Sequence, residues 1–512
     1  MRRSTLPRSR SRRGVQFGLV ALVALAAVLL VPASALADAT DLKKSIAGKL
    51  DVSVGVNTTW VIVAGSLVMF MQAGFAFLEI GFSRGKNAGT VVAKILTNFS
   101  IAALFWWACG FAIAFSAPKW LGFIGHQGFF LSDYGDPLKT FPVMGTSDAT
   151  IEAKFFFQFV FCAVSLAIVW GTTLERIKFG VYIIYAAVFS ALIYPMAAGA
   201  VFGGGFLQEG HWLGTSIAGI QDFAGSTAVH LIGATGALAA LLLLGPRKGK
   251  YGPDGKPRAI PGHSMPLFGL GVLILWLGWF GFNPGSTLNA LDGRFPEVVI
   301  ITNMAAAAGV LTAVLTAYLK TKAIDIGMAG NGAIAALVAI TAPSGYVELW
   351  AAPIIGAVAG VIVVLGVYWV DKRIDDPVGA LSAHGMAGVW GTLACGLFTA
   401  PRLAQYNGFG DPQGGLFYSG HLTQLVAQAL GVLIVFTFVL SVSAGVFWLI
   451  KKTYGFRVSE AEEDAGLDIS EHGMYGYPEQ FIPAPELVGY ALPPVPAAAA
   501  APAATTQEVP AS

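Results

Sequence analysis

Residues 222–245 read DFAGSTAVHLIGATGALAALLLLG, and after Asp222 no charged side chain follows until Arg247. At about 1.5 Å rise per residue, such a run crosses the roughly 30 Å hydrocarbon layer of a bilayer as one helix. It is made mostly of small residues, which let helix backbones approach closely where lipid supplies no hydrophobic drive. A second stretch, 376–399, reads DPVGALSAHGMAGVWGTLACGLFT and repeats the plan: an aspartate, a histidine eight positions on, then small residues. Histidines inside apolar spans are expensive and point to a pathway, and His230 and His384 are the two that lie well inside such blocks.

The rest of the chain agrees with a membrane setting. Of 512 residues 55% are hydrophobic and 12% charged, with mean hydropathy +0.68, against about 25% charged in soluble domains. A water-soluble globule is excluded. The apolar blocks are about 20 residues long without in/out alternation, so the spans are helices and not barrel strands. A formal net charge of +2 is too close to neutral to indicate a nucleic-acid partner. Cys109, Cys162 and Cys395 stand singly, with no CxxC pair, which argues against a cysteine metal site or redox motif. Gly contributes 63 residues, much of it within the spans, so a tightly packed bundle is expected.

Eleven apolar blocks follow residue 58: 59–81, 90–116, 155–174, 180–202, 224–245, 265–287, 297–319, 328–343, 347–370, 378–399 and 422–450. Residues 1–37 read as a cleaved signal peptide: an arginine-rich start, an apolar run from Val15 to Val31, and Ala35-Leu36-Ala37 as a small-x-small cleavage site. The other reading of this segment, an uncleaved first helix, is disfavoured by the short run that ends at Pro32. Residues 38–58 form a periplasmic N-terminal segment, 59–450 the helical body, 451–486 a cytoplasmic tail, and 487–512 a disordered Pro/Ala-rich end. With the mature N-terminus outside, the inside loops and tail hold 16 basic residues and the outside segments 7. The positive-inside rule selects that orientation, with the C-terminus cytoplasmic.

In this topology the two histidine spans are antiparallel and five spans apart. The expected fold is therefore all-α and polytopic, eleven transmembrane helices with a 5+5 inverted-topology repeat plus an eleventh helix, and a site at the repeat interface. Asp222 fits as the N-cap of block five, and Asp376, with Pro377 at the first helical position, as that of block ten. Each histidine then lies about 12 Å deep from its own side. Two neutral imidazoles in a dry lumen can hydrogen-bond each other only as complementary tautomers, and can serve a small neutral solute or relay one proton. Zinc needs more ligands, and no third His, Cys or carboxylate falls within these two spans at comparable depth. No cofactor, metal or catalytic residue is expected: HExxH, GxSxG and Walker-type motifs are absent, so the chain does not read as an enzyme.

At these residues the sequence resembles the ammonium transporter (Amt/Mep/Rh) family, nearest its bacterial Amt branch. The likeness is carried by Asp222 to His230, by Gly278-Trp279-Phe280-Gly281-Phe282-Asn283-Pro284-Gly285-Ser286, by Asp375-Asp376-Pro377 through His384-Gly385, and by Arg84-Gly85-Lys86-Asn87 and Leu174-Glu175-Arg176-Ile177 in two inside loops. The resemblance implies a homotrimer with one pore per subunit, located in the plasma (inner) membrane. It makes His230 and His384 the paired pore histidines, Phe161 and Phe282 the stacked phenylalanines at the outer pore, Ser286 the recruitment serine, and Trp279 a pore-lining residue.

One departure stands out: Phe202 precedes Gly203-Gly204-Gly205 where the family often has a Trp that completes an aromatic cage. Phe is the weaker cation–π partner, so the outer site is looser unless Trp212 fills in. Asp222 fits two roles, a helix cap or a carboxylate that stabilises the cation. In the tail, Gly455, Arg457, Glu462, Gly466, Asp468 and His472 lie in stretches that resemble the segment through which many bacterial members are regulated, with a PII-type signal protein as the implied partner.

The implied mechanism holds NH4+ at Ser286 and Phe202, removes a proton, and passes NH3 along the histidines, leaving open whether the proton follows. An ammonium sensor of the same fold and an Rh-type gas channel are the competing functions. Nearly all the charge is expected outside the spans, leaving a lumen with almost no fixed charge.

Overall fold

The structure, a computed structural model, describes residues 52–132, 135–210, 218–408 and 414–481. The proposed signal peptide, Trp212 and the Pro/Ala-rich end lie outside the described residues. In hydrocarbon a single segment must satisfy its own backbone groups, and the apolar blocks accordingly form helices. They are α1 (Val52–Phe82), α2 (Gly85–Phe115), α3 (Ile151–Gly171), α4 (Phe179–Gln208), α5 (Ser226–Leu244), α6 (Met265–Gly285), α7 (Phe295–Thr321), α8 (Ile326–Thr341), α9 (Ala351–Val370), α10 (Leu381–Met386 running into Ala387–Phe398) and α11 (Thr423–Thr453). Among the described residues nine of these have the length and hydropathy of a span, and α8 is a shorter apolar helix. Large apolar side chains such as Leu96, Leu273, Leu311 and Leu433 are exposed on the bundle's outside, where lipid is their partner.

Glycine sets the closest packing. A Cβ at Gly81 of α1 would lie 2.5 Å from the Phe268 backbone nitrogen, and one at Gly271 of α6 would lie 2.4 Å from that of Leu78. At Gly278 it would meet Met71, and at Gly281 the Ala64 carbonyl oxygen. Rising numbers on α1 thus meet falling numbers on α6, so the two helices run antiparallel with backbones in contact.

The histidine helices are antiparallel as well. At one end the Thr399 hydroxyl, just past α10, donates to the Gln221 side-chain oxygen before α5 at 2.7 Å. At the other, Arg247 beyond α5 donates from its backbone N–H (2.7 Å), Nε (2.9 Å) and Nη2 (2.9 Å) to the Asp375 carboxylate ahead of α10. Both helices open with π-helical turns, Ser226–Leu231 and Leu381–Met386, each preceded by a glycine in positive φ: Gly225 at 120° and Gly379 at 74°. Pro377 is therefore not the first helical residue; a turn intervenes and the helix starts later. His230 and His384 are the fifth and fourth residues of their π turns, so counting eight helical rises from the aspartate overstates their depth.

The Asp375 end is tied by buried charge. Arg176, fully buried, donates to the Asp375, Gly245 and Leu174 carbonyls at 2.7, 2.9 and 2.9 Å. Glu175 accepts from the Arg84 backbone N–H and Nε, both at 2.7 Å. The loop motifs of the sequence take part in these bonds, which join four loops into one plate. Burial pushes the Asp375 carboxyl up, but the Arg247 hydrogen bond, the Arg176 and Arg247 charges and the Arg247 backbone N–H more than offset it and hold the group down to about 2. Because its folded value lies below the unfolded one, its contribution is complete above about pH 4 and is lost as pH falls towards 2. Asp375→Asn is expected to lower stability by about 2 kcal/mol at neutral pH, with the difference closing near pH 2, as read by thermal unfolding in detergent.

Candidate functional site

A cavity at the other end, the Ser286 end, leaves about 550 Å³ for the centres of water-sized molecules and is lined by Phe161, Phe202, Asp222, Phe223, Ser286 and Tyr346, among others. Ser286 caps α6, its hydroxyl donating to the Phe282 carbonyl at 2.8 Å. With the proton committed there, the oxygen lone pairs are left as acceptors, the requirement for holding an N–H donor. Phe202 lines the same cavity at the point where glycines break α4, its ring tip beside Gly225.

Asp222 is placed by its own helix. Its Oδ1 accepts from the N–H of Gly225 (2.8 Å) and Ser226 (2.9 Å), and its Oδ2 from Thr227 (2.9 Å) and Ala228 (2.8 Å). Those are the groups a helix start leaves orphaned, so the cap is complete. The carboxylate also lines the cavity, so its charge faces the space in which a cation would sit.

Below the cavity the rings of Phe161 (α3) and Phe282 (α6) stack at 4.0 Å between centroids and 18° between planes. His230 follows, stacked on Phe282 at 5.4 Å and on Trp279 at 5.3 Å. Trp279 is pinned by its indole N–H, which donates to the Thr341 hydroxyl of α8 at 2.9 Å. The two imidazoles meet Nδ1 to Nδ1 at 3.2 Å, with centroids 5.3 Å apart. One Nδ1 must carry the proton and the other must be bare, so one ring offers Nε2 as an acceptor and its partner Nε2–H as a donor. His230 is fully buried and its Nε2 has no hydrogen-bond partner among the described residues.

Neighbouring helices hold the π turn that aims His230: Ser165 of α3 donates to Val229 O at 2.8 Å, and the Thr227 and Thr392 hydroxyls pair at 2.6 Å. Ser226, within that turn, reaches out to the end of α8, donating to Val338 O at 2.7 Å and accepting from the Ala342 N–H at 2.7 Å. Phe161, Phe202, Asp222, Ser286, Phe282, Trp279, His230 and His384 thus share one row through the bundle. A sequence profile described as Ammonium Transporter Family matches residues 59–477.

The chain belongs to the ammonium transporter family.

It is 43% identical over 460 residues to a protein of Archaeoglobus fulgidus named ammonium transporter Amt2, covering 89% of this chain and 95% of that one. It is 36% identical over 443 residues to ammonium transporter Amt1 of Haloferax mediterranei, covering 84% and 80%. A solved structure described as a sensor Amt protein superposes with a TM-score of 0.72 at 33% identity, covering 82% of this chain and 99% of that one. Candida albicans Mep2 does so at 0.71 and 29%, covering 80% and 87%.

The tail residues of this family member gather elsewhere, at the Asp375 end. Arg457 donates to Leu244 O (3.2 Å) and Pro246 O (2.6 Å) past α5 and to Glu463 (2.6 Å). Asp468 accepts from the Gly89 and Thr90 backbone N–H groups at 2.9 and 2.7 Å, capping the first turns of α2 from outside the helix. Glu462 closes a capping box with Ser459, His472 packs edge-on to Phe179 at 4.9 Å, and Gly455 and Gly466 take positive φ of 86° and 96° at the turns. The tail is thus seated on the loops it follows.

Two residues escaped the sequence reading. Glu79 of α1 and Lys94 of α2 form an ion pair buried inside the body, so fixed charge is not confined to the loops. Their signal was present, an acid within block 59–81 and a base within block 90–116. Two opposite charges in separate blocks barely move the hydropathy of either, and only the packing of α1 on α2 joins them.

Proposed function

We propose that this chain is an ammonium transporter of the plasma membrane that recruits NH4+ at the Ser286 end, removes a proton, and conducts NH3 past His230 and His384. The Ser286 end faces outside, the N-terminus lies outside and the C-terminus in the cytoplasm, as the loop charges favour. The chain works as a homotrimer, each copy with its own path, and the tail at 451–486 is the regulatory element on which a PII-type signal protein acts.

The observation that carries this is the buried row that ends in two imidazoles in Nδ1 contact. Potassium and ammonium are alike in size and charge, so discrimination must be chemical. Ammonium can give up its proton before it passes the Phe161–Phe282 stack, either to water in the outer cavity or, through Asp222, to the histidine pair; potassium has no proton to give and would have to enter the dry row as a bare ion, at a cost of many kcal/mol. Ammonia, with one lone pair and N–H donors, matches a pair of rings that present one acceptor and one donor Nε2.

The test is reconstitution into proteoliposomes. An ammonium-evoked signal, as current or as ammonia flux, that potassium does not evoke is the expected result. Current marks net NH4+ transfer and electroneutral flux marks net NH3. Absence of both overturns the transport reading in favour of a sensor, as the neighbour at 33% identity is described.

A further inference from the structure

Past His384, towards the Asp375 end, lies a second and much smaller cavity, walled by Phe75, Ile168, Leu275 and Asn331 and reached by His384 on one side and Glu79 on another. It leaves about 20 Å³ for the centre of a water-sized molecule, room for one. Glu79 is 1% exposed and Lys94 not at all. Lys94 Nζ is bonded to Glu79 Oε2, while Oε1 is buried and has no hydrogen-bond partner among the described residues. A Cβ built on Gly171 of α3 would sit 3.4 Å from that Oε1, so the glycine keeps the space beside it open.

We infer that this cavity is a second station for the cargo, in which Glu79 Oε1 accepts an N–H from ammonia or ammonium that has left His384, an assignment resting on the reading of the histidine row as an ammonia path. A buried acceptor without a partner is costly, and the pair with Lys94 accounts for only one of the two carboxylate oxygens. The group that completes the other must be a donor of about the size of water, and ammonia and ammonium both meet that requirement. Lys94 holds the carboxylate in position and balances its charge, so a neutral ammonia meets no net charge from the pair. An occupant here would stand between the histidines and the loops of the Asp375 end. The station therefore governs release and leaves recruitment at Ser286 untouched.

The experiment uses the full chain in proteoliposomes, with ammonium-evoked transport normalised to incorporated protein. Two variants probe the station in different ways. Glu79→Leu with Lys94→Met replaces the ion pair by apolar side chains, an exchange that buried pairs often tolerate without loss of stability. Gly171→Ala fills the space beside Oε1 and leaves the pair intact. Both are expected to lower maximal transport by about tenfold, the loss of a hydrogen bond to a charged group, with the half-saturating ammonium concentration unchanged.

Wild-type transport in the double variant overturns the station and makes the pair a packing device. Should the double variant fail to incorporate, Gly171→Ala decides, and wild-type transport there overturns the inference equally. If the unaltered chain itself neither evokes current nor moves ammonia, the transport function falls and takes the station with it, an outcome distinct from a working transporter indifferent to these substitutions.

Discussion

Replacing His230 and His384 together by leucine is expected to reduce ammonium-evoked transport by at least about 100-fold, equivalent to about 2.7 kcal/mol on the barrier. The two rings meet at 3.2 Å between Nδ1 atoms, within a stack that includes Phe282 and Trp279. Leucine keeps the row apolar and removes every hydrogen-bonding atom the imidazoles offer to it. Ammonia crossing that stretch would be stripped of water without replacement partners, a cost of a few kcal/mol. The variant should fold, because two mutually satisfied polar groups are removed together and no partner is orphaned. A single replacement is expected to be harsher on stability, since it strands the Nδ1 of the remaining ring. Stopped-flow flux and solid-supported-membrane current, read against thermal unfolding, separate the two effects. Undiminished, ammonium-selective current in the double variant would refute a role for the pair in conduction and in any proton relay.

The second large effect is expected at Asp222. Asparagine has nearly the same shape but offers one oxygen and an N–H2 group. Four backbone N–H groups converge on the carboxylate, two on each oxygen. In Asp222→Asn one pair of these donors faces an amide that also donates, so two buried N–H groups lose their acceptor at about 1–3 kcal/mol each. The first turn of α5, which carries His230, loosens. Thermal unfolding in detergent should therefore fall by several degrees, and transport should fall with it. The same variant separates the two roles that Asp222 fits. If the folded fraction moves ammonium with an unchanged half-saturating concentration, the carboxylate acts as a cap alone. A rise in that concentration, measured on intact protein, assigns its charge to holding the cation in the cavity it lines.

Much of this site could be read along the chain because its signals are local. A span is a matter of length and hydropathy. The eight-residue spacing from Asp222 to His230 and from Asp376 to His384 is visible as text, and the antiparallel sense of the two helices follows from their places as fifth and tenth spans, an odd number of positions apart. The π turns were not legible. They depend on Ser165 and Thr392 reaching the turn from other helices and on Ser226 reaching out of it to α8, and they changed both the helix starts and the depth estimate. Asp222 was legible as a cap, but that four N–H groups converge on it was not.

Composition and spacing sufficed to establish a polytopic helical membrane protein, its two matched histidine spans and its family likeness, because hydrophobic length and motif order survive without knowledge of neighbours. Which atoms face each other was settled by the antiparallel crossing of helices. That crossing brings two nitrogens from residues 154 positions apart to 3.2 Å, stacks Phe161 on Phe282, and buries Lys94 against Glu79. Hydrogen bonds and buried ion pairs are contacts of a few ångströms between distant parts of the chain. They exist only once glycine seams such as that between α1 and α6 have drawn the backbones together.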